Sequence, residues 1–152
     1  MAEHGFRQYE VSAYAQAGRA AQHNLNYWRF GDFIGIGAGA HGKLTYPDGR
    51  ILRTWKTRLP KDYLNPAKQF KAGEKALGNE ELPFEFLMNA LRLTDGVDAA
   101  LFAQRTGLDL GSLAEGRRQA EQSGLLQVEP SRLAATARGQ LFLNDLLQYF
   151  LI

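Results

Sequence analysis

The apolar positions of this chain change their period near residue 80. Before it, short segments alternate loosely or run together; after it, they recur at helical spacing. From Phe6 to Ala15 the β-formers Phe6, Tyr9, Val11 and Tyr14 predict one strand. Ala17 to Gln22 is small and polar and predicts a loop. The apolar run Phe33-Ile34-Gly35-Ile36 predicts a second strand, entering glycines at 37, 39 and 42 that let a backbone approach a neighbour or ligand closely. Leu44-Thr45-Tyr46, Pro47-Asp48-Gly49 and Arg50 to Trp55 predict a β-hairpin, because proline presets φ for a turn and Asp-Gly closes it. Leu59 to Gly78 is polar, with lysines at 61, 68, 71 and 75, and predicts a helical connector broken at Asn65-Pro66.

Beyond a boundary near Leu77 to Leu82, Phe84, Leu87, Ala90 and Leu91 share one helical face, with Pro83 suited to the first turn and Gly96 to a stop. A short helix is predicted from Asp98 to Thr106, ended by Gly107. Ser112-Leu113-Ala114-Glu115 fits a capping box, predicting a third helix from Ser112 to Gly124. Leu126 to Glu129, a Pro130-Ser131 turn and Arg132 to Ala134 predict a small hairpin. Thr136 caps a last helix that turns Leu143, Leu147 and Phe150 inward. Three helices, a two-stranded wing and a closing helix describe a winged-helix-like module.

Charge reinforces the division. Residues 1–75 hold 12 Lys/Arg against 6 Asp/Glu, and residues 76–152 hold 6 against 10, so +6 becomes −4. The second half is therefore a poor phosphate binder. Its predicted helix from Ser112 to Ser123 sets Arg117 and Arg118 against Glu115 and Glu121, and Arg132 and Arg138 are too few to supply a basic face. A docking or lid role fits this half better than DNA binding, and no nucleic-acid partner is expected. The sequence shows neither a signal-peptide pattern nor an apolar run that could span a bilayer, so the plain expectation is a cytoplasmic protein without a membrane span.

The densest chemistry lies between Gln8 and Gly42. His23, Asn24, Tyr27 and Trp28 offer an imidazole, an amide and two aromatic faces with polar handles, a set suited to a large, flat, partly polar ligand. Neutral imidazole is a common ligand of heme iron; equally, His23 and Asn24 could tie a loop to its neighbours, with Tyr27 and Trp28 as core. His41 follows the glycine turn, where a histidine is either a further ligand-contacting group or a solvated one that caps the backbone. Glu10 and Asp32 are the nearest acids, candidates to orient His23 or an arginine such as Arg29. Gly35, Gly37 and Gly39 do not form a dinucleotide fingerprint, because the chain enters a hairpin rather than a helix and carries no acid about twenty residues on. Neither a nucleophilic triad nor a His-Glu-x-x-His box is present.

Tyr9-Glu10-Val11-Ser12, His23-Asn24-Leu25-Asn26-Tyr27-Trp28, Phe33 to His41, Leu91-Arg92-Leu93 and Gly124-Leu125-Leu126 together resemble the C-terminal part of the oxygen-independent coproporphyrinogen III oxidase-like proteins. This is the HemN/HemW family of radical S-adenosylmethionine (SAM) proteins. The His-Asn-x-x-Tyr-Trp motif lies nearer its heme-chaperone branch than its decarboxylating oxidases. The resemblance implies an α+β fold: residues 1–78 the end of a radical SAM-type β/α barrel with a hairpin and connector, and residues 79–152 the mainly α, winged-helix-like C-terminal domain. It implies heme or porphyrin contact by His23, Asn24, Tyr27, Trp28 and His41, His23 ligating the iron, and glycines 35, 37 and 39 lining the barrel end near substrate or SAM. Recipients would be apo-hemoproteins.

A radical SAM cluster requires three cysteine thiolates, and the chain has Cys 0. Cluster, SAM and any oxidase activity therefore belong to a longer parent, of which this chain is expected to be a segment, Met1 being a supplied start or an internal residue. Alone it is expected to be catalytically inactive. Oxidative decarboxylation of coproporphyrinogen III is the alternative for the parent, and a stand-alone winged-helix DNA-binding or docking module is the second. Without the front half of the barrel, an exposed sheet edge predicts self-association.

Overall fold

The computed structural model describes residues 2–151, which form a mixed α/β structure of two compact units. One joins residues 2–30 to 79–151, and the other is residues 31–78. All paired strands among the described residues are antiparallel, in three small sheets, with no closed barrel.

The first expected strand is a hairpin. β1 (Arg7–Glu10) pairs with β2 (Ala13–Ala15), with a bulge between Gln8 and Glu10. The turn forms because the Glu10 carboxylate accepts from both the backbone N–H (2.9 Å) and the hydroxyl (2.8 Å) of Ser12, a local bonding option that competes with continued strand. α1 (Gln22–Trp28) then occupies the stretch that carries His23.

In residues 31–78 the predicted hairpin is present as β3 (His41–Thr45) and β4 (Ile51–Lys56), with Gly49 at φ 86 in its turn. Two expectations fail here. Phe33 to Ile36 is not a strand: Phe33 makes an isolated bridge to Lys43, while Ile34 and Ile36 are 74% and 86% exposed. A Cβ at Gly35 would run into the His41 carbonyl, and Gly37 and Gly39 take positive φ (107 and 71), so the glycines turn the chain instead of extending it. The connector is not a long helix either. It gives one turn, α2 (Pro60–Tyr63), and then β5 (Lys71–Ala76), which pairs with β4. Pairing overrides a helical composition, and Gly73 makes room for the Trp55 ring that lies against it.

The rest of the first unit is built from α3 (Leu82–Ala90), β6 (Val97–Asp98), α4 (Ala100–Thr106), α5 (Ala114–Gln122), β7 (Arg132–Leu133), α6 (Ala137–Leu141) and α7 (Leu143–Gln148). Gly107 stops α4 in the left-handed conformation, and Thr136 caps α6 by accepting from the Gly139 N–H (3.0 Å). The Ser112 capping box does not form. Asp109 caps a 3₁₀ turn (Leu110–Leu113), α5 starts at Ala114, and Glu115 bonds Arg118 and Gln119 instead. Leu126 makes an isolated bridge to Ala135, and β7 pairs with β6.

Phe86 is fully buried between Phe30 (ring centroids 5.6 Å) and Phe102 (5.3 Å), both edge-on. Leu87, Leu91, Leu113, Leu126, Leu133 and Leu146 complete the core. Phe86, not Phe84, is the fully buried aromatic of α3, and Leu146 rather than Leu143 joins Leu147 and Phe150 inside. The N-terminal hairpin belongs to this core through backbone bonds from Val11 N–H to Arg92 O and from Thr94 N–H to Tyr9 O, each 3.1 Å.

Candidate functional site

α1 has little reason to be helical on its own. Its sequence QHNLNYW holds weak helix formers, its N-cap Ala21 offers no side-chain bond, and seven residues are too few to be stable in isolation. Tertiary anchors hold it. At its end Arg29 and Phe30 donate to Leu25 O (2.9 Å) and Tyr27 O (3.0 Å), and Phe30 takes φ 56, the left-handed region that usually falls to glycine. That conformation is maintained by sinking the Phe30 ring, 1% exposed, against Phe86.

The i, i+4 spacing sorts the four candidate residues into two pairs. Asn24 and Trp28 are anchors. The Asn24 amide donates to the Tyr9 hydroxyl (3.0 Å), and the Arg92 guanidinium lies 4.4 Å over the Trp28 ring. Arg92 in turn pairs with Glu10 (3.1 Å), whose side chain is 2% exposed, and reaches the Ser12 hydroxyl (3.3 Å). Among the described residues, Trp28 Nε1 and Arg92 Nε are buried without a hydrogen-bond partner, a cost of about 1–3 kcal/mol each.

His23 and Tyr27 form the other pair. His23 is exposed, and its ring meets Tyr27 edge-on at 6.2 Å; Tyr27 meets Trp28 edge-on at 6.5 Å. Among the described residues no hydrogen bond engages the His23 ring nitrogens, so an incoming ligand finds an imidazole displayed on a fixed helix. Such a donor suits heme iron. No group of three His, Cys, Asp or Glu able to hold a metal ion occurs among the described residues, and a cysteine-ligated cluster does not fit a chain with Cys 0.

Glu10 does hold an arginine, though it is Arg92 rather than Arg29, and it also binds Ser12. Asp32 bonds Lys43 Nζ (2.8 Å), the Thr45 N–H (2.9 Å) and the Thr45 hydroxyl (2.8 Å). Burial pushes the Asp32 carboxyl up, but the bonds from Lys43 and Thr45 outweigh it and hold it below its ordinary value. They also satisfy Lys43, which is 1% exposed.

In residues 31–78, His41 is exposed and stands with Ala38, Gly39, Trp55, Lys56 and Arg58 around a hollow of about 650 Å³. Gly37 donates its N–H to the Tyr63 hydroxyl (3.1 Å), and Gly39 to Thr57 O (2.9 Å), so these N–H groups are committed to the turn. The sequence pattern singled out His41 and the glycines but passed over Lys56 and Arg58. It had Arg92 in a motif without a role; no local signal joins Arg92 to Glu10, 82 residues away.

With the geometry in place, comparison with known proteins defines the class. The HemN C-terminal domain family matches residues 77–142. The solved Escherichia coli coproporphyrinogen III oxidase (HemN), described as a radical SAM enzyme, superposes with a TM-score of 0.64 at 15% identity, over 98% of this chain and 38% of that one, and so shows the fold. Residues 77–142 thus match the HemN C-terminal domain, and the likeness over the rest of the chain is to proteins of the HemN/HemW family. Within it, the chain is similar to the curated "Heme chaperone HemW" of Escherichia coli, 46% identical, and of Haemophilus influenzae, 45% identical, each over 97% of this chain. A mitochondrial radical SAM domain-containing protein of Dictyostelium discoideum is 32% identical over 94% of it. The chain spans 38% of the length of the two heme chaperones.

Proposed function

We propose that this chain is the heme-contacting C-terminal part of a heme chaperone that passes heme to apo-hemoproteins. One observation carries the reading: His23 stands exposed, its nitrogens without a hydrogen bond among the described residues, on a helix fixed by Asn24 and Trp28, in a chain 46% identical to a heme chaperone. Heme, when bound, supplies an iron that accepts an imidazole nitrogen. His23 provides that nitrogen, Tyr27 borders the ring face, and Asn24 and Trp28 fix the helix from which His23 projects. By family resemblance, His41 and glycines 35, 37 and 39 are also ligand-contacting residues.

By family resemblance, residues 1–78 end a radical SAM barrel and residues 79–152 form a winged-helix-like domain that shields the site or meets the recipient. The parent would be cytoplasmic and would carry the iron–sulfur cluster and SAM on segments preceding this region. No helix among the described residues is long and apolar enough to cross a membrane. A docking role for α5 is favoured over DNA contact because its arginines are spent internally. Arg117 binds Glu121 (2.8 Å) and the carbonyls of Glu129 and Pro130, and Arg118 binds Glu115 (2.6 Å).

Transfer tests the reading. The chain loaded with heme and mixed with an apo-hemoprotein such as apomyoglobin should yield the recipient's absorption spectrum faster than free heme at equal concentration, and His23→Ala should abolish that advantage. Equal rates for the loaded chain, the variant and free heme would refute it.

A further inference from the structure

Residues 31–78 hold nine Lys/Arg against four Asp/Glu, a formal +5 in 48 residues. All four acids are engaged: Asp32 with Lys43, Asp48 with Arg50, Asp62 with Lys68 and Glu74 with Lys71. Lys56 and Arg58 make no ion pair among the described residues, yet both line the hollow of about 650 Å³ that also takes in His41 and Trp55. The turn from Ala38 to His41 forms one wall of the hollow, tied to the end of β4 by the bond from Lys56 N–H to Ala40 O (2.9 Å). The Trp55 ring lies against Gly73, where a side chain would collide with it. Half-buried, Lys56 holds its ammonium 4.6 Å over the Phe70 ring, where an aromatic face is a weak substitute for an anion. Two cations without counterions, an exposed imidazole and an aromatic plane make a site for carboxylates carried on a flat ring.

We propose that this hollow recognises the carboxylate side chains of a tetrapyrrole, Lys56 and Arg58 pairing with the carboxylates, His41 donating a hydrogen bond and Trp55 bordering the ring. The inference rests on the heme reading for the ligand class, but it makes no use of iron. Charge-assisted bonds of this kind are roughly twice as strong as neutral ones and select acid over ester. The hollow thus discriminates its ligands by their free carboxylates.

The test uses iron-free protoporphyrin IX and its dimethyl ester, titrated against the chain by porphyrin fluorescence. The free acid should bind at least about tenfold more tightly than the ester. Lys56→Ala with Arg58→Ala should erase the difference by weakening the acid alone, Lys56→Arg with Arg58→Lys should restore it, and His23→Ala should leave it intact. Equal binding of acid and ester by the wild-type chain would overturn the inference, and that arm holds even if the double variant does not fold. Displacement of the acid by adenosine monophosphate would assign the hollow to a nucleotide instead and also overturn it. If heme binding depends on His23 while acid and ester bind alike, the inference alone fails. If no porphyrin binds at all, the heme reading fails with it.

Discussion

The guanidinium of Arg92 stacks 4.4 Å over the indole of Trp28 while pairing with the buried Glu10, so one side chain joins the N-terminal hairpin to the helix that displays His23. Arg92→Ala leaves the Glu10 carboxylate buried without its cation and should destabilise the unit by about 3–5 kcal/mol. Arg92→Lys keeps charge but loses the flat stack and should recover only part of it. Chemical denaturation of the three proteins measures both. A neutral result for Arg92→Ala would remove this anchor from the account.

The Asn24 amide bond to the Tyr9 hydroxyl is the second anchor. Tyr9→Phe deletes the acceptor and retains the ring, and should cost about 0.5–1.5 kcal/mol. If that bond holds α1 in place for its ligand, heme affinity should fall in Tyr9→Phe as well, with His23 untouched; unchanged affinity would make the bond purely a matter of stability.

Phe30 sets two effects against each other. Truncating a ring buried to 1% exposure costs about 3–5 kcal/mol, while φ 56 penalises any residue with a Cβ by about 1–2 kcal/mol. Phe30→Gly should therefore be less destabilising than Phe30→Ala, the reverse of the order at an ordinary helical site. Thermal melts of the two variants decide it.

Asp32 gives the pH dependence. Its folded carboxyl titrates below the ordinary value of 3.8, so its contribution is fully present above that value and is lost as pH falls through the lowered folded value. Asp32→Asn should destabilise residues 31–78 at neutral pH, and the gap to the wild-type chain should close in strongly acidic solution. A pH-independent gap would mean that the carboxylate charge is not what stabilises the Lys43–Thr45 cluster.

What the sequence revealed followed from local chemistry. Pro47-Asp48-Gly49, Gly107 and Thr136 act within a few residues of themselves, and the structure places turn, stop and cap where they predict. The failures share a different cause. α1 stands on anchors supplied by Tyr9, Phe86 and Arg92, and β5 is a strand because β4 offers it an edge. None of these partners lies close enough in the chain to leave a periodic trace. The candidate site was legible as residue types, His23 to Trp28, but their division into anchors and displayed groups required the fold. Lys56 and Arg58 were invisible as a pair because only the structure shows that the acids of their unit are taken by other cations.

The central claim is that His23 ligates heme on this chain. The direct measurement is a heme titration followed at the Soret band, with the wild-type chain and His23→Ala in parallel. The account predicts saturable one-to-one binding that weakens at least about tenfold in the variant, a loss of about 1.4 kcal/mol. Equal binding by the two proteins, or none by either, would contradict it.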